Sequence, residues 1–201
     1  MEKTNVNKLI DAKIEALQNS LIGYKKNEIL VTSSLDKDSS VLLYFLQEAG
    51  IDAEILFINT GLIKGKVDEN LEIFNDTFNF NLNVIDKKEE LIKHLGNKDF
   101  LDLSEVDQQK ICKIQKKDTL DKHILQTNKA IWVTGIRRYE TEHRKNMRAI
   151  DVVNGLIKYS PIFNLSGLEI IFILKAINLR KFHELKDLCK MNKSNECGLH
   201  I

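Results

Sequence analysis

Three groups of side chains in this sequence have the types and spacing to do chemistry. The first is the polar run Ser33-Ser34-Leu35-Asp36-Lys37-Asp38-Ser39-Ser40, set between the apolar runs of ILVTSSLDKDSSVLLYFL. A strand that feeds a hydroxyl-rich turn and then a helix leaves about four unpaired N–H groups and roughly half a positive charge at the helix start, a seat for phosphate or sulfate. An ordinary strand-to-helix turn is the competing reading, because the loop carries two acids and lacks the glycines of a P-loop. The second group is Arg137, Arg138, Arg144, Lys145 and Arg148, which follow the apolar run AIWVT and the turn residue Gly135. Two arginines directly after a strand end are suited to bidentate binding of an oxyanion. The third is the cysteine set Cys112, Cys189 and Cys197, with His200 beside the last. An odd count without a CxxC pair gives neither a disulfide framework nor a four-thiolate metal site. By position alone Cys197 is a thiol on a frayed end. Cys112 and Cys189, on helical patterns, read as packing thiols, with a Cys189–Cys197 disulfide as the alternative.

The elements that must position these groups follow from periodicity. Thr4–Tyr24 has one apolar face at helical spacing. Glu28–Thr32, a helix over Ser39–Ala49 closed by Gly50, and Ala53–Asn59 make a strand-helix-strand unit of the size of a right-handed parallel crossover. Asn59-Thr60-Gly61 is a second polar turn at a strand end, and helix Val67–Phe78 and strand Leu82–Ile85 follow. Glu89–Leu95 and Glu105–Gln126 read as helices, the second with a lysine-rich face directed mostly to solvent. Ala130–Thr134 is a fourth buried strand. Ala149–Val153 and Leu156–Ser160 flank Asn154-Gly155, a hairpin signal, and Ser166-Gly-Leu-Glu169 is a capping box that opens a helix to Asn178. Lys181–Met191 reads as one more helix.

Composition sets the frame. A chain of 201 residues with 43% hydrophobic content has the size and core of one domain. The 30 basic residues against 29 acidic ones give no whole-molecule field that would draw nucleic acid or an acidic membrane. No apolar segment approaches the length of a membrane span and the start MEKTNVNK is polar, so the expected location is the cytoplasm. The expected organisation is a single α/β domain over 1–191 with a mobile tail over 192–201.

Four stretches, SSLDKDSSVLLYFL, FINTG, CKIQKKDTLDKHIL with WVTGIRRYETEHR, and the terminal ECGLH, together resemble the thioredoxin-dependent phosphoadenylyl-sulfate and adenylyl-sulfate reductases. The resemblance implies a doubly wound parallel sheet of the adenine nucleotide α-hydrolase-like (ATP-pyrophosphatase) type, with the nucleotide along the strand ends. It further implies that Ser33, Ser34, Lys37, Ser39 and Ser40 form the phosphate loop, and that Thr60 and Gly61 flank the nucleotide. Lys116, Thr134, Gly135, Arg137, Arg138 and Arg144 would then contact the substrate's phosphate or sulfate. Cys197 is implied as the nucleophile, ionised with help from the arginines or from His200. Asp36 stands where a glycine is usual, and a carboxylate there opposes a phosphate. Members with an iron–sulfur cluster carry a Cys-Cys pair aligned with Ile111-Cys112 and a CxxC before the tail. Neither is complete here, so no cluster, no metal and no bound cofactor is expected. The implied reaction is reduction of a sulfonucleotide to sulfite, with thioredoxin or glutaredoxin as partner, and a homodimer or partner subunit left open. Two alternatives keep the fold: an ATP-pyrophosphatase-type nucleotidyl enzyme, for which Cys197 has no role, and a non-catalytic nucleotide-binding subunit.

Overall fold

Each central strand of this chain is apolar on both sides, and the computed structural model shows why. The structure describes residues 3–153, 155–179 and 182–190. Ile29–Thr32 (β1), Glu54–Asn59 (β2), Leu82–Asp86 (β4), Ile131–Thr134 (β5), Ile150–Val153 (β6) and Leu156–Tyr159 (β7) form one six-stranded sheet in the order β4-β2-β1-β5-β7-β6. All neighbours are parallel except the edge strand β6, which is antiparallel to β7. Ile29, Val31, Ile55, Phe57, Ile131 and Val133 face one core cluster, whereas Leu30, Leu56 and Trp132 face another. Alternate residues of one strand thus fill opposite layers, as expected of a parallel sheet covered on both faces.

Helices Lys3–Leu21 (α1), Lys37–Glu48 (α2) and Gly167–Ile177 (α8) pack on one another. They supply Val6, Leu17, Leu42, Phe45, Ile170 and Ile173 to the first cluster, joined by Val67 and Phe74 of Val67–Thr77 (α3). Thr119–Gln126 (α6) covers the other face through Leu120 and Ile124. Lys88–Leu95 (α4) and Glu105–Cys112 (α5) enclose a third, smaller cluster with Leu62, Phe100 and Leu188. The four-residue helix Glu142–Lys145 (α7) is capped by Thr141. No described helix is long and apolar enough to cross a membrane.

Most sequence-based elements hold to within a residue or two, including the capping box at Ser166 and Glu169. The hairpin forms, although Asn154 of its turn lies outside the described residues. Three expectations need correction. The helix expected over Lys181–Met191 is, in its described part, a two-residue strand Lys186–Asp187 (β8) and a 3₁₀ turn, Leu188–Lys190. β8 pairs antiparallel with Ile63–Lys64 (β3), Ile63 opposite Asp187 and Lys64 opposite Lys186, and no local pattern encodes a contact between segments so far apart in sequence. The helix expected over Glu105–Gln126 is interrupted by a π-helical turn at Lys113–Asp118. The wider turn rotates the register and brings Gln115 and Lys116 inward, so Lys116 is buried rather than on a solvated face. Finally, Cys112 and Cys189 are not free packing thiols: they form a disulfide with Cα atoms 5.9 Å apart. The two cysteines meet because β8 returns the chain to the end of α5.

Candidate functional site

From β1 the chain winds outward through β2 to β4, then restarts at β5 on the other side of β1. The carboxyl ends of β1 and β5 therefore meet at the topological switch point, where open α/β sheets place ligands. A cleft opens there, lined by Ser33, Ser34, Asp36, Asp38 and Ser39 after β1, Thr134, Gly135 and Ile136 after β5, and Lys116, Glu140, Arg144 and Asp187 from flanking elements. Trp132 and Thr32 also line it, with the indole Nε1–H donating to Thr32 Oγ1 at 2.9 Å. The ammonium of Lys158 lies 5.0 Å from the Trp132 ring centroid, a cation–π distance.

The loop after β1 is organised by its acids. Asp36 is the N-cap of α2: its Oδ1 accepts hydrogen bonds from the backbone N–H of Asp38 at 3.1 Å and of Ser39 at 2.9 Å. Its Oδ2 accepts from the Ser34 hydroxyl at 2.8 Å. Ser39 Oγ accepts from the Ser34 N–H at 3.1 Å, and Ser33 Oγ from the Leu35 N–H at 3.2 Å. Leu35, fully buried, holds a left-handed φ of 52°. Asp38 is buried against Arg137, with 2.9 Å between its Oδ2 and the guanidinium, while its Oδ1 has no hydrogen-bond partner. Burial pushes the Asp38 carboxyl up to about 6, and the Asp36 charge adds to that effect, against the opposing pull of Arg137.

Of the residues expected at the site, Ser33, Ser34, Ser39, Lys116, Thr134, Gly135 and Arg144 line the cleft. Arg144 is buried and paired with Glu140, and Lys116 is buried and paired with Asp187. Thr134 Oγ1 shares a 2.8 Å hydrogen bond with Ser160. Arg137 stands behind the lining as the partner of Asp38. Arg138 stacks its guanidinium 5.2 Å from the Phe163 ring centroid, and its N–H donates to the Phe163 carbonyl. Lys37 is exposed and Ser40 turns back to the Asp36 carbonyl, so neither lines the cleft. Thr60 and Gly61 form the turn after β2, where Thr60 Oγ1 accepts from the Leu62 N–H, and they too lie off the lining. Cys197 and His200 lie outside the described residues.

Sequence reasoning missed Asp38, Glu140 and Asp187 as the internal partners of Arg137, Arg144 and Lys116. The Asp187 pairing had no local signal, since it depends on β8 returning to β3. Each of these three cations is therefore already paired before any ligand arrives, and Asp36 adds a further carboxylate to the lining. Among the described residues, no group of three or more His, Cys, Asp or Glu side chains is placed to hold a metal ion.

Comparison with known proteins agrees with this architecture. The phosphoadenylyl-sulfate reductase of Candida auris, solved as a phosphate complex, superposes with a TM-score of 0.69 over 90% of both chains at 14% identity. The FMN adenylyltransferase of Candida glabrata with ATP gives 0.57 over 85% of this chain and 55% of that one, also at 14% identity. At these identities the likeness is one of fold: the doubly wound sheet of the adenine nucleotide α-hydrolase type. In sequence, the chain is 25% identical over 158 residues to a phosphoadenosine 5'-phosphosulfate reductase of Aliivibrio fischeri, covering 78% of this chain and 62% of that protein. It is likewise 25% identical over 193 residues to an adenosine 5'-phosphosulfate reductase of Chelativorans, covering 87% and 76%. The chain thus spans about three-fifths of the length of the Aliivibrio relative. The family model described as the phosphoadenosine phosphosulfate reductase domain matches residues 28–188, which contain every element around the cleft, and the chain belongs to that family.

Proposed function

We infer that this chain reduces a sulfonucleotide, phosphoadenylyl sulfate or adenylyl sulfate, to sulfite. The observation that carries the reading is the cleft at the β1/β5 switch point, lined by the Ser33–Ser39 loop, Lys116 and Arg144, in a chain whose residues 28–188 match the reductase family. The Cys197 thiolate attacks the sulfur of the sulfate–phosphate anhydride, the S–O bond to phosphate breaks, and the adenosine phosphate leaves. Cys197 then carries an S-sulfonate. A thiol of thioredoxin or glutaredoxin attacks the Cys197 sulfur and expels sulfite. The partner's second thiol breaks the resulting mixed disulfide, which returns Cys197 as a thiolate and leaves the partner oxidised by two electrons. The dithiol supplies the electrons, so the cycle needs no bound cofactor.

Two anionic reactants, a thiolate and a sulfonucleotide, repel unless cations neutralise the site. Arg144 and Lys116 are the cations that line the cleft, and Arg137 holds the Asp38 charge beside it. Cys197 must be ionised, and an unperturbed thiol near 8.5 is only a few per cent thiolate at neutral pH. The same cations, or His200, would lower it. The proposed cycle requires the Cys197 sulfur to meet first the substrate in the cleft and then a thiol of an external protein.

The test is sulfite release with reduced thioredoxin from both sulfonucleotides, using wild type and Cys197→Ser. Release by the wild type and loss of at least a hundredfold in the variant is the expected result. Retained release in the variant removes Cys197 as nucleophile. No release from either substrate, with nucleotide still bound, gives the chain the role of a binding subunit.

A further inference from the structure

The start of α2 is the place in this cleft where an incoming phosphate would find backbone donors, yet those donors are already taken. Asp36 Oδ1 receives the N–H groups of Asp38 and Ser39, at 3.1 and 2.9 Å, and Oδ2 receives the Ser34 hydroxyl. The carboxylate thus occupies the position of a bound oxyanion. The loop is fixed in this arrangement. Leu35 is fully buried at a φ of 52°, a conformation that L residues other than Asn and Asp seldom adopt. Its carbonyl accepts a 3.1 Å hydrogen bond from Asn70 of α3, which is itself completely buried and bonded on its other side to His183. A second carboxylate stands next to the first: Asp38 lines the cleft, is 7% exposed, and keeps one oxygen without a partner. A phosphate arriving at α2 would have to displace one carboxylate and lie beside another.

We propose that Asp36 is a specificity-determining residue, a built-in anion that fills the phosphate seat of α2 and excludes nucleotides whose 5' chain is a polyphosphate. The cleft then accepts a 5' chain of one phosphate and a terminal sulfate, whose charge is met by Arg144 and Lys116, the cations of the lining. The proposal rests on the sulfonucleotide reading of the cleft for the ligand that is accepted. The exclusion itself does not depend on that reading.

Calorimetric titration of wild type, Asp36→Ser and Asp36→Gly with inorganic pyrophosphate, ATP and adenylyl sulfate separates the two. Serine keeps a capping hydroxyl for α2 but leaves room for an anion; glycine clears the seat. Wild type is expected to bind adenylyl sulfate at least tenfold more tightly than ATP or pyrophosphate, and both variants to gain at least tenfold for pyrophosphate and ATP. A gain of affinity cannot come from misfolding. Equal pyrophosphate affinity in wild type and a folded variant overturns the proposal. So does a shift of the Asp38 and Ser39 amide resonances when wild type is titrated with pyrophosphate, a measurement that needs no variant. If the variants gain pyrophosphate while wild type ignores adenylyl sulfate, Asp36 is an excluding anion but the sulfonucleotide reading falls.

Discussion

The guanidinium of Arg137 sits 2.9 Å from the carboxylate of Asp38, and each side chain is only 7% exposed. This pair ties the first turn of α2 to the loop after β5 across the switch point, so the two walls of the cleft are joined by a buried ion pair. Removing one partner alone leaves a buried charge uncompensated, which costs about 3–5 kcal/mol in comparable pairs.

The pair predicts a specific pH response. Burial raises Asp38 from 3.8 to about 6, so between these values the folded protein binds a proton that the unfolded chain has released. Its contribution to stability is therefore greatest below pH 4 and declines as pH rises to 6, by about 3 kcal/mol at 1.36 kcal/mol per pKa unit. Urea unfolding at half-unit intervals from pH 4 to 7 should show this decline in wild type and not in Asp38→Asn. Parallel curves for the two proteins would mean that Asp38 is already ionised at pH 4.

Gly61 is expected to be intolerant and Gly135 tolerant, although both follow strand ends. At Gly61, φ is 75° and an added Cβ would lie 2.8 Å from Leu91 Cδ2 and 3.2 Å from the Lys88 Cα. Gly61→Ala should cost about 3 kcal/mol, combining the left-handed penalty with overpacking against α4. At Gly135 the nearest atoms would be 3.8 Å away, and Gly135→Ala should stay within about 1 kcal/mol of wild type. Chemical denaturation of the two variants decides the contrast.

The Cys112–Cys189 disulfide closes a loop with a sequence separation of 77 residues. Chain entropy gives such a link about 4 kcal/mol, and in a chain of this size that corresponds to a melting temperature about 10 °C higher. Scanning calorimetry of oxidised and fully reduced wild type, with thiol alkylation to confirm each state, measures it. Coincident melting curves would show that the link adds nothing beyond the surrounding contacts of Leu62, Ile111 and Leu188.

The parallel sheet was legible in the sequence because its strands are short, doubly apolar and bounded by polar turns, and each is encoded within a few residues. Ser33 and Ser39 could be placed at the cleft because the hydroxyl-rich turn follows β1, whereas Thr134, which ends β5, and Arg144, in α7, were placed there by the resemblance to the reductase family. What escaped was non-local or register-dependent. The β3–β8 pairing, the Lys116–Asp187 contact and the disulfide all depend on the chain returning from far away. The inward turn of Lys116 needs one π-helical turn that periodicity averages over. Asp36 was read as a misplaced charge. Its capping bonds to Asp38 and Ser39 give it a structural partner that a glycine at this position would not have.

The indole of Trp132 has one more consequence. It is the only tryptophan in the chain, it is buried at 4% exposure in the wall of the cleft, and it is fixed by Thr32 on its ring nitrogen and by the Lys158 charge above its face. Emission excited at the red edge of the protein spectrum therefore comes from a single site, and that site is in the ligand space. The molecule carries its own optical gauge of cleft occupancy, and each titration described above can be read by fluorescence without a label.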